Sequence, residues 1–107
     1  MAGMYSLNDL LELSLREGAE ELRLRTGEAP VMIIQGEATA IDVPAMTTDN
    51  VTELFRSIAT EGQLEELRRC GDTHFIYVFQ SFGRFGVTAK MQRESFDVQF
   101  RNLSQRR

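Results

Sequence analysis

Residues 18–37, GAEELRLRTGEAPVMIIQGE, decide the fold of this chain. Leu22 and Leu24 alternate with charged residues, which is the pattern of a strand that buries one face. Gly27 follows in a segment of turn-forming residues and can adopt a positive φ. The apolar run at 31–34 then reads as a second strand. We therefore predict two strands joined by a turn, onto which the rest of the chain packs.

Length and composition predict one globular domain over residues 1–107. The chain has 42% hydrophobic and 26% charged residues, which is ordinary for a soluble domain. Its formal charge is −4, with a pI near 5.0, so nucleic acid is not an expected partner. No stretch approaches the roughly 20 apolar residues of a membrane span, and the N-terminus lacks the pattern of a signal peptide. We expect a cytoplasmic protein without membrane insertion.

Three helices are predicted from capping residues and apolar spacing. Ser6 precedes a leucine stripe and begins a helix over 6–17. Thr47 or Thr48 caps a second helix, and Thr60 with Gln63 three residues later forms the capping box of a third. The leucines of these helices are interpreted as core residues without a chemical role.

The last third of the chain is predicted to be sheet. Residues 75–79 are apolar on both faces, so we expect a central strand there. Residues 84–93 and 96–101 alternate between apolar and polar side chains and form two more strands, with a turn at 81–83. The fold class is therefore α+β, an antiparallel sheet with helices packed on one face.

The sequence predicts a protein without catalytic activity, metal or cofactor. The chain has no phosphate-binding P-loop, no dinucleotide fingerprint and no nucleophile elbow. His74 is its one histidine and lies within a strand, where a structural role is favoured over that of a general base. Cys70 lies beside Arg68 and Arg69, but at the end of a helix, which disfavours a reactive thiolate.

Basic residues on the polar face of strand 84–93 are the best candidates for a binding site. Arg84 and Lys90 lie on that face, and Arg101 follows on the last strand. In an acidic chain such cations can meet a phosphate group or an acidic partner. The alternative is a solvated face whose cations balance the glutamates.

Five sequence pieces follow one another in a characteristic order: a short helix, then GAEELRL, a Gly-x-x-Pro turn with a strand ending in glycine, a Thr-capped helix, and GRFGVTAKMQR. This order resembles the N-terminal domain of the pilus-motor and secretion ATPases (the PilT-like family). In sequence order the five pieces cover roughly residues 7–103. These ATPases are hexamers that retract or extend type IV pili and drive type II secretion.

The resemblance implies a PAS-like α+β domain that packs against the ATPase domain of a neighbouring subunit. In the family, arginines of the last strands approach the nucleotide phosphates. Carried onto this sequence, that role falls to Arg84 and Arg93, with Arg101 as a further candidate, while Lys90 remains a contact candidate from its place on the polar face of the strand. The implied partners are motor ATPase subunits or other proteins of the pilus or secretion machinery, and a homo-oligomer is a further possibility.

The chain also departs from the family pattern. Arg23 stands where the family usually has histidine, and His74 where an acidic residue is common. Gly86 replaces the second arginine of the Gly-Arg-Phe-Arg piece, and Thr88 replaces its asparagine. The sequence is expected to be either an excised domain of such an ATPase or a stand-alone relative, and the departures favour the second, an interaction module that lacks the motor itself.

Two other functions remain open from the sequence. PAS-like sheets often enclose a small molecule, so a ligand or signal sensor is the alternative function. Against it, the expected inner face is filled by large side chains, which indicates a packed core. Those side chains are Phe75, Tyr77, Phe85, Val87 and Phe100. Dimerisation through an exposed sheet edge is the third hypothesis.

Overall fold

Three helices and six strands make up the computed structural model, which describes residues 6–79 and 83–103. In chain order these are α1 Leu7–Glu17, β1 Glu21–Arg25, β2 Val31–Ile34, β3 Glu37–Ala40, α2 Thr48–Arg56, α3 Glu61–Cys70, β4 Asp72–Phe79, β5 Gly83–Met91 and β6 Phe96–Asn102. The turn expected at 81–83 lies outside the described residues except for Gly83. No helix in the described ranges is both long and apolar enough to cross a membrane.

Each helix begins at a capping box. Ser6, Thr47 and Thr60 each accept a hydrogen bond from the backbone amide three residues on, whose own side chain accepts one in return from the cap amide. These bonds satisfy amide groups that have no partner inside a helix. The predicted helix starts are confirmed, with Thr47 as the cap of α2.

All six strands form one antiparallel sheet in the order β3-β2-β1-β6-β5-β4. The first three strands form one meander and the last three form another. The two meanders join where β1 pairs with β6, with Leu22 opposite Phe100 and Leu24 opposite Val98. The α+β fold with a single antiparallel sheet is confirmed.

One face of the sheet carries the hydrophobic core and all three helices. Buried residues of the helices, among them Leu11 and Phe55, form one cluster with the buried strand residues. Phe55 of α2 is fully buried and its ring lies 5.4 Å from that of Phe96 and 5.9 Å from that of Phe75. On α3, the Glu66 carboxylate accepts a 2.7 Å hydrogen bond from the buried hydroxyl of Thr73. The predicted placement of helices on one face is therefore correct.

The prediction that strand 75–79 is central is wrong. This strand is β4, which ends the strand order and pairs only with β5 among the described residues. Its apolar residues on the second face, Ile76 and Val78, are 61% and 59% exposed. The sequence pattern reports which side chains are apolar, whereas the position of a strand depends on pairings distant in sequence.

The strand predicted over 84–93 is shorter at its end than expected. Strand β5 stops at Met91, because the Gln92 amide donates a 2.9 Å hydrogen bond to the Ser95 carbonyl and closes a turn. Arg93 therefore lies in the turn between β5 and β6 and not on the strand.

Two glycine-to-alanine changes are expected to have opposite effects on stability. Gly18 ends α1 with φ 74°, a left-handed conformation that strains an L-residue, so Gly18→Ala is expected to cost about 1 kcal/mol. In β5, a Cβ on Gly86 would lie 3.6 Å from Leu103 Cδ1, an ordinary contact. Gly86→Ala is therefore expected to add about 0.4–1 kcal/mol by restricting the unfolded chain. Urea denaturation checks both, and equal signs would contradict this account.

Candidate functional site

One face of the sheet is turned away from the helices and the hydrophobic core. We call it the outer face. Residues that are directly opposite in the ladder share a face, so the strand register defines its members. They are Ala38 and Ala40 on β3, Val31 and Ile33 on β2, Glu21, Arg23 and Arg25 on β1, Asp97, Gln99 and Arg101 on β6, Arg84, Gly86, Thr88 and Lys90 on β5, and Asp72, His74, Ile76 and Val78 on β4.

Basic side chains outnumber acidic ones on these strands of the outer face. The basic residues are Arg23, Arg25, Arg84, Lys90 and Arg101, and the acidic ones are Glu21, Asp72 and Asp97. The whole chain has the opposite sign, with a formal charge of −4. Acidic residues are therefore concentrated on the helices and loops, and the outer face is a locally positive surface on an acidic protein.

Two of the predicted site residues are neighbours at one end of the outer face. Arg101 lies directly opposite Gly86 on β5, and Arg84 is two residues from Gly86. This diagonal relation places the two Cα atoms roughly 7–8 Å apart. Ile76 is opposite Gly86 on the other side, and the Leu103 side chain lies close to Gly86. Arg84 and Arg101 thus flank a small group of exposed apolar side chains.

The other predicted residues lie elsewhere. Lys90 is six residues from Arg84 along β5, which is roughly 20 Å. It faces Asp97, whose carboxylate is 3.6 Å from Arg25 Nε. Arg93, in the turn beyond β5, is farther still from Arg84. The structure therefore brings Arg84 and Arg101 together and does not bring all four residues to one point.

Arg23 and Arg25 belong to the outer face, but sequence reasoning did not select them. The sequence pattern places them on the polar side of the first strand, and the pairing of β1 with β6 brings that side next to the later strands. Arg23 Nε donates a 3.1 Å hydrogen bond to Glu21 Oε1. The available signal was their alternation with Leu22 and Leu24, since it put both arginines on the face opposite the core.

Two open depressions mark the outer face. One of about 450 Å³ is lined by Ile76, Gly86 and Arg101, among others. The other, about 200 Å³, lies between Arg25 and Lys90. Both are shallow surface features that suit a contact with another surface better than enclosure of a small molecule.

His74 and Cys70 take unremarkable positions. His74 lies on the outer face, and its Nδ1 is 3.2 Å from the hydroxyl oxygen of Thr88 on the neighbouring strand. Cys70 ends α3 as an exposed free thiol. In the part of the chain that the structure describes, no three His, Cys, Asp or Glu side chains gather as a metal site would require.

Comparison with known proteins finds that this chain is similar to part of a pilus retraction ATPase. No family model matches the chain. The type IV pilus retraction ATPase PilT of Pseudomonas aeruginosa strain PAO1 is 26% identical over 97 residues, which are 91% of this chain and 28% of PilT. A crystal structure of the pilus retraction motor PilT with bound ADP superposes with a TM-score of 0.86 at 23% identity, and the match covers 95% of this chain and 30% of that one.

This chain is a homologue of the PilT N-terminal domain. Its fold also matches the ATPase DotB of Legionella pneumophila, with a TM-score of 0.80 at 17% identity over 96% of this chain and 30% of DotB. DotB of Yersinia pseudotuberculosis gives 0.69 at 14% identity over 89% of this chain and 29% of that one. The chain thus spans less than a third of the length of PilT or DotB.

Proposed function

We propose that this PilT-like domain is a non-catalytic docking module of a type IV pilus or type II secretion motor. In this proposal it acts in the cytoplasm and packs its outer face against the ATPase domain of a neighbouring subunit. The observation that carries the proposal is the positive outer face of a domain homologous to part of PilT. Phosphate contacts by Arg84, Lys90, Arg93 or Arg101 remain separate predictions, since the four residues do not converge.

The composition of the outer face supports docking. Protein interfaces favour arginine beside apolar side chains, with charged groups around the rim. Arg84 and Arg101 flank Ile76 and Leu103 in this way. Complementary charge accelerates association with an acidic partner and makes binding sensitive to salt.

The inner face gives less support to the alternative of a small-molecule sensor. The rings of Phe79, Phe85 and Phe100 pack edge to face, with centroids 6.4 and 6.3 Å apart in successive pairs. All three residues are at most 1% exposed. Large side chains therefore occupy the region where a PAS-like sheet would hold a ligand.

Binding to the ATPase region of P. aeruginosa PilT, prepared without its own N-terminal domain, tests the proposal. We expect micromolar binding by the 107-residue chain, and weaker binding as salt rises. The double change Arg84→Glu and Arg101→Glu is expected to weaken it at least tenfold, because it reverses two neighbouring charges on the outer face. Isothermal titration calorimetry measures both effects.

A matched control separates the effect of the outer face on binding from the effect of the net charge. Arg16→Glu with Arg68→Glu changes the net charge equally, but these exposed residues lie on α1 and α3, on the helical side. This variant is expected to bind within twofold of the unchanged chain. Equal losses in the two variants, or no binding by the unchanged chain to the ATPase region, would contradict docking through the outer face.

A further inference from the structure

Within residues 6–79 and 83–103, no strand pairs with the outer edge of β4, and this edge has the features of a strand that pairs with another chain. Strand β4 is eight residues long, whereas the edge strand at the other end of the sheet, β3, has only four. Edge strands are usually protected by lysine, proline, a bulge or short length, and β4 contains neither lysine nor proline. Its pairing with β5 is regular over the whole strand, from Asp72 to Phe79.

The hydrogen-bonding pattern identifies which residues of β4 face outward. The Met91 amide donates to the Gly71 carbonyl, so this pair belongs to the hydrogen-bonded set between β4 and β5. Because such pairs alternate along an antiparallel ladder, the odd-numbered residues of β4 bond to β5. The even-numbered residues therefore direct their backbone amides and carbonyls away from the sheet. They are Asp72, His74, Ile76 and Val78.

We propose that two copies of this chain pair through β4 in antiparallel fashion, with the two-fold axis at Ile76. The two sheets then form one continuous sheet across the dimer. The inference is argued from the edge of the sheet and does not rest on the proposed docking through the outer face, although Ile76 belongs to both surfaces.

The side chains of β4 favour this register over those whose axis is shifted toward the start of the strand. On the outer face it places Ile76 opposite Ile76 of the second copy and His74 opposite Val78. On the inner face it places Phe75 opposite Tyr77, and aromatic cross-strand pairs stabilise antiparallel sheets. A shift of the axis to His74 sets the two histidines opposite each other, and a shift to Phe75 sets Asp72 opposite Val78.

The charged and the exposed apolar side chains of β4 are also compatible with pairing to a second copy of the chain. In the Ile76-centred register the two Asp72 carboxylates lie at opposite ends of the interface, roughly 26 Å apart, so like charges do not meet. The exposed Ile76 side chains of the two copies lie side by side in the dimer, and Val78 is diagonal to Ile76 of the second copy. Three hydrogen-bonded residue pairs supply about six backbone hydrogen bonds.

The predicted dimer is weak. A single added strand buries less than the roughly 1,200 Å² that stable interfaces need. We expect a dissociation constant on the order of 100 μM, which makes the dimer a concentration-dependent species. Sedimentation equilibrium of the 107-residue chain from micromolar to millimolar concentration measures it, and a monomer at every concentration would overturn the proposal.

Cysteine cross-linking tests the register. In a Cys70→Ser background, Ile76→Cys places two thiols on directly opposed residues whose Cα atoms are about 5.5 Å apart, within disulfide range. Val78→Cys is the matched control, because its exposure is nearly the same but its thiol lies opposite His74. We expect disulfide dimers from the first variant and few from the second. Equal cross-linking, or more from Val78→Cys, would overturn the Ile76-centred pairing.

A second pair of variants separates edge pairing from stacking of two outer faces. Ile76→Lys sets two charges opposite each other at the edge and is expected to weaken self-association at least tenfold. Gln99→Lys adds the same charge to the middle of the outer face, on β6, and is expected to leave self-association unchanged. Equal loss in both variants would show face stacking and overturn the proposal. Circular dichroism confirms that each variant is folded.

Discussion

Replacing Phe55 by alanine is expected to lower the free energy of unfolding by about 3–5 kcal/mol. Phe55 is fully buried and its ring contacts those of Phe75 and Phe96. It anchors α2 against the sheet, so its removal leaves a cavity between the two layers. Domains of this size are usually stable by 5–15 kcal/mol, so the variant is expected to be close to unfolding at 37 °C. Urea denaturation followed by circular dichroism measures the change.

Phe75→Ala is the matched control for this prediction. It removes the same group from the same aromatic cluster, but Phe75 is only partly buried, on the edge strand β4. Less apolar area becomes exposed to water, and the neighbouring side chains at the sheet edge can move into the space left. The free energy of unfolding is therefore expected to fall by about half as much. Equal losses in the two variants would show that α2 is not held mainly by Phe55.

Proline at Gln99 is expected to destabilise the domain by roughly 3 kcal/mol or more. Gln99 is on β6, with β1 on one side and β5 on the other. The Leu103 amide donates to the Arg84 carbonyl, and alternation from that pair directs the Gln99 amide toward Thr88. Proline removes this donor, leaves a carbonyl unpaired and crowds the neighbouring strand.

Ile76→Pro is the control, since the Ile76 amide faces the free edge. This change removes no hydrogen bond within the sheet, and we expect it to cost less than about half as much as Gln99→Pro. It is also expected to abolish the proposed pairing of two β4 strands. Thermal denaturation of dilute protein compares the two variants, and an equal loss of stability would contradict the assignment of β4 as an edge strand.

The helix starts and most strand positions could be predicted because local residues encode them. A capping box joins residues only three apart, so Thr60 and Gln63 are visible in sequence. Alternation likewise identified the buried faces of β1, β5 and β6, where Leu22, Val87 and Phe100 are at most 1% exposed.

The order of strands and the makeup of the outer face could not be read in the same way. The pairing of Glu21 with Arg101 joins residues at opposite ends of the sequence, and no local pattern reports it. Strand β4 was misplaced for this reason, because exposed Ile76 and Val78 resemble the second buried face of a central strand. The site prediction therefore included Arg84 and Arg101 but omitted Arg23 and Arg25, which only the pairing of β1 with β6 adds to the same surface.

The junction of β1 with β6 also determines when this domain can fold during translation. The second neighbour of β1 is synthesised more than 70 residues after β1, which takes roughly 4–15 s. During that interval Leu22 and Leu24 lack their contacts with Phe100 and Val98, and β1 has an unpaired edge. The nascent chain is therefore expected to depend on chaperone protection until β6 has left the exit tunnel.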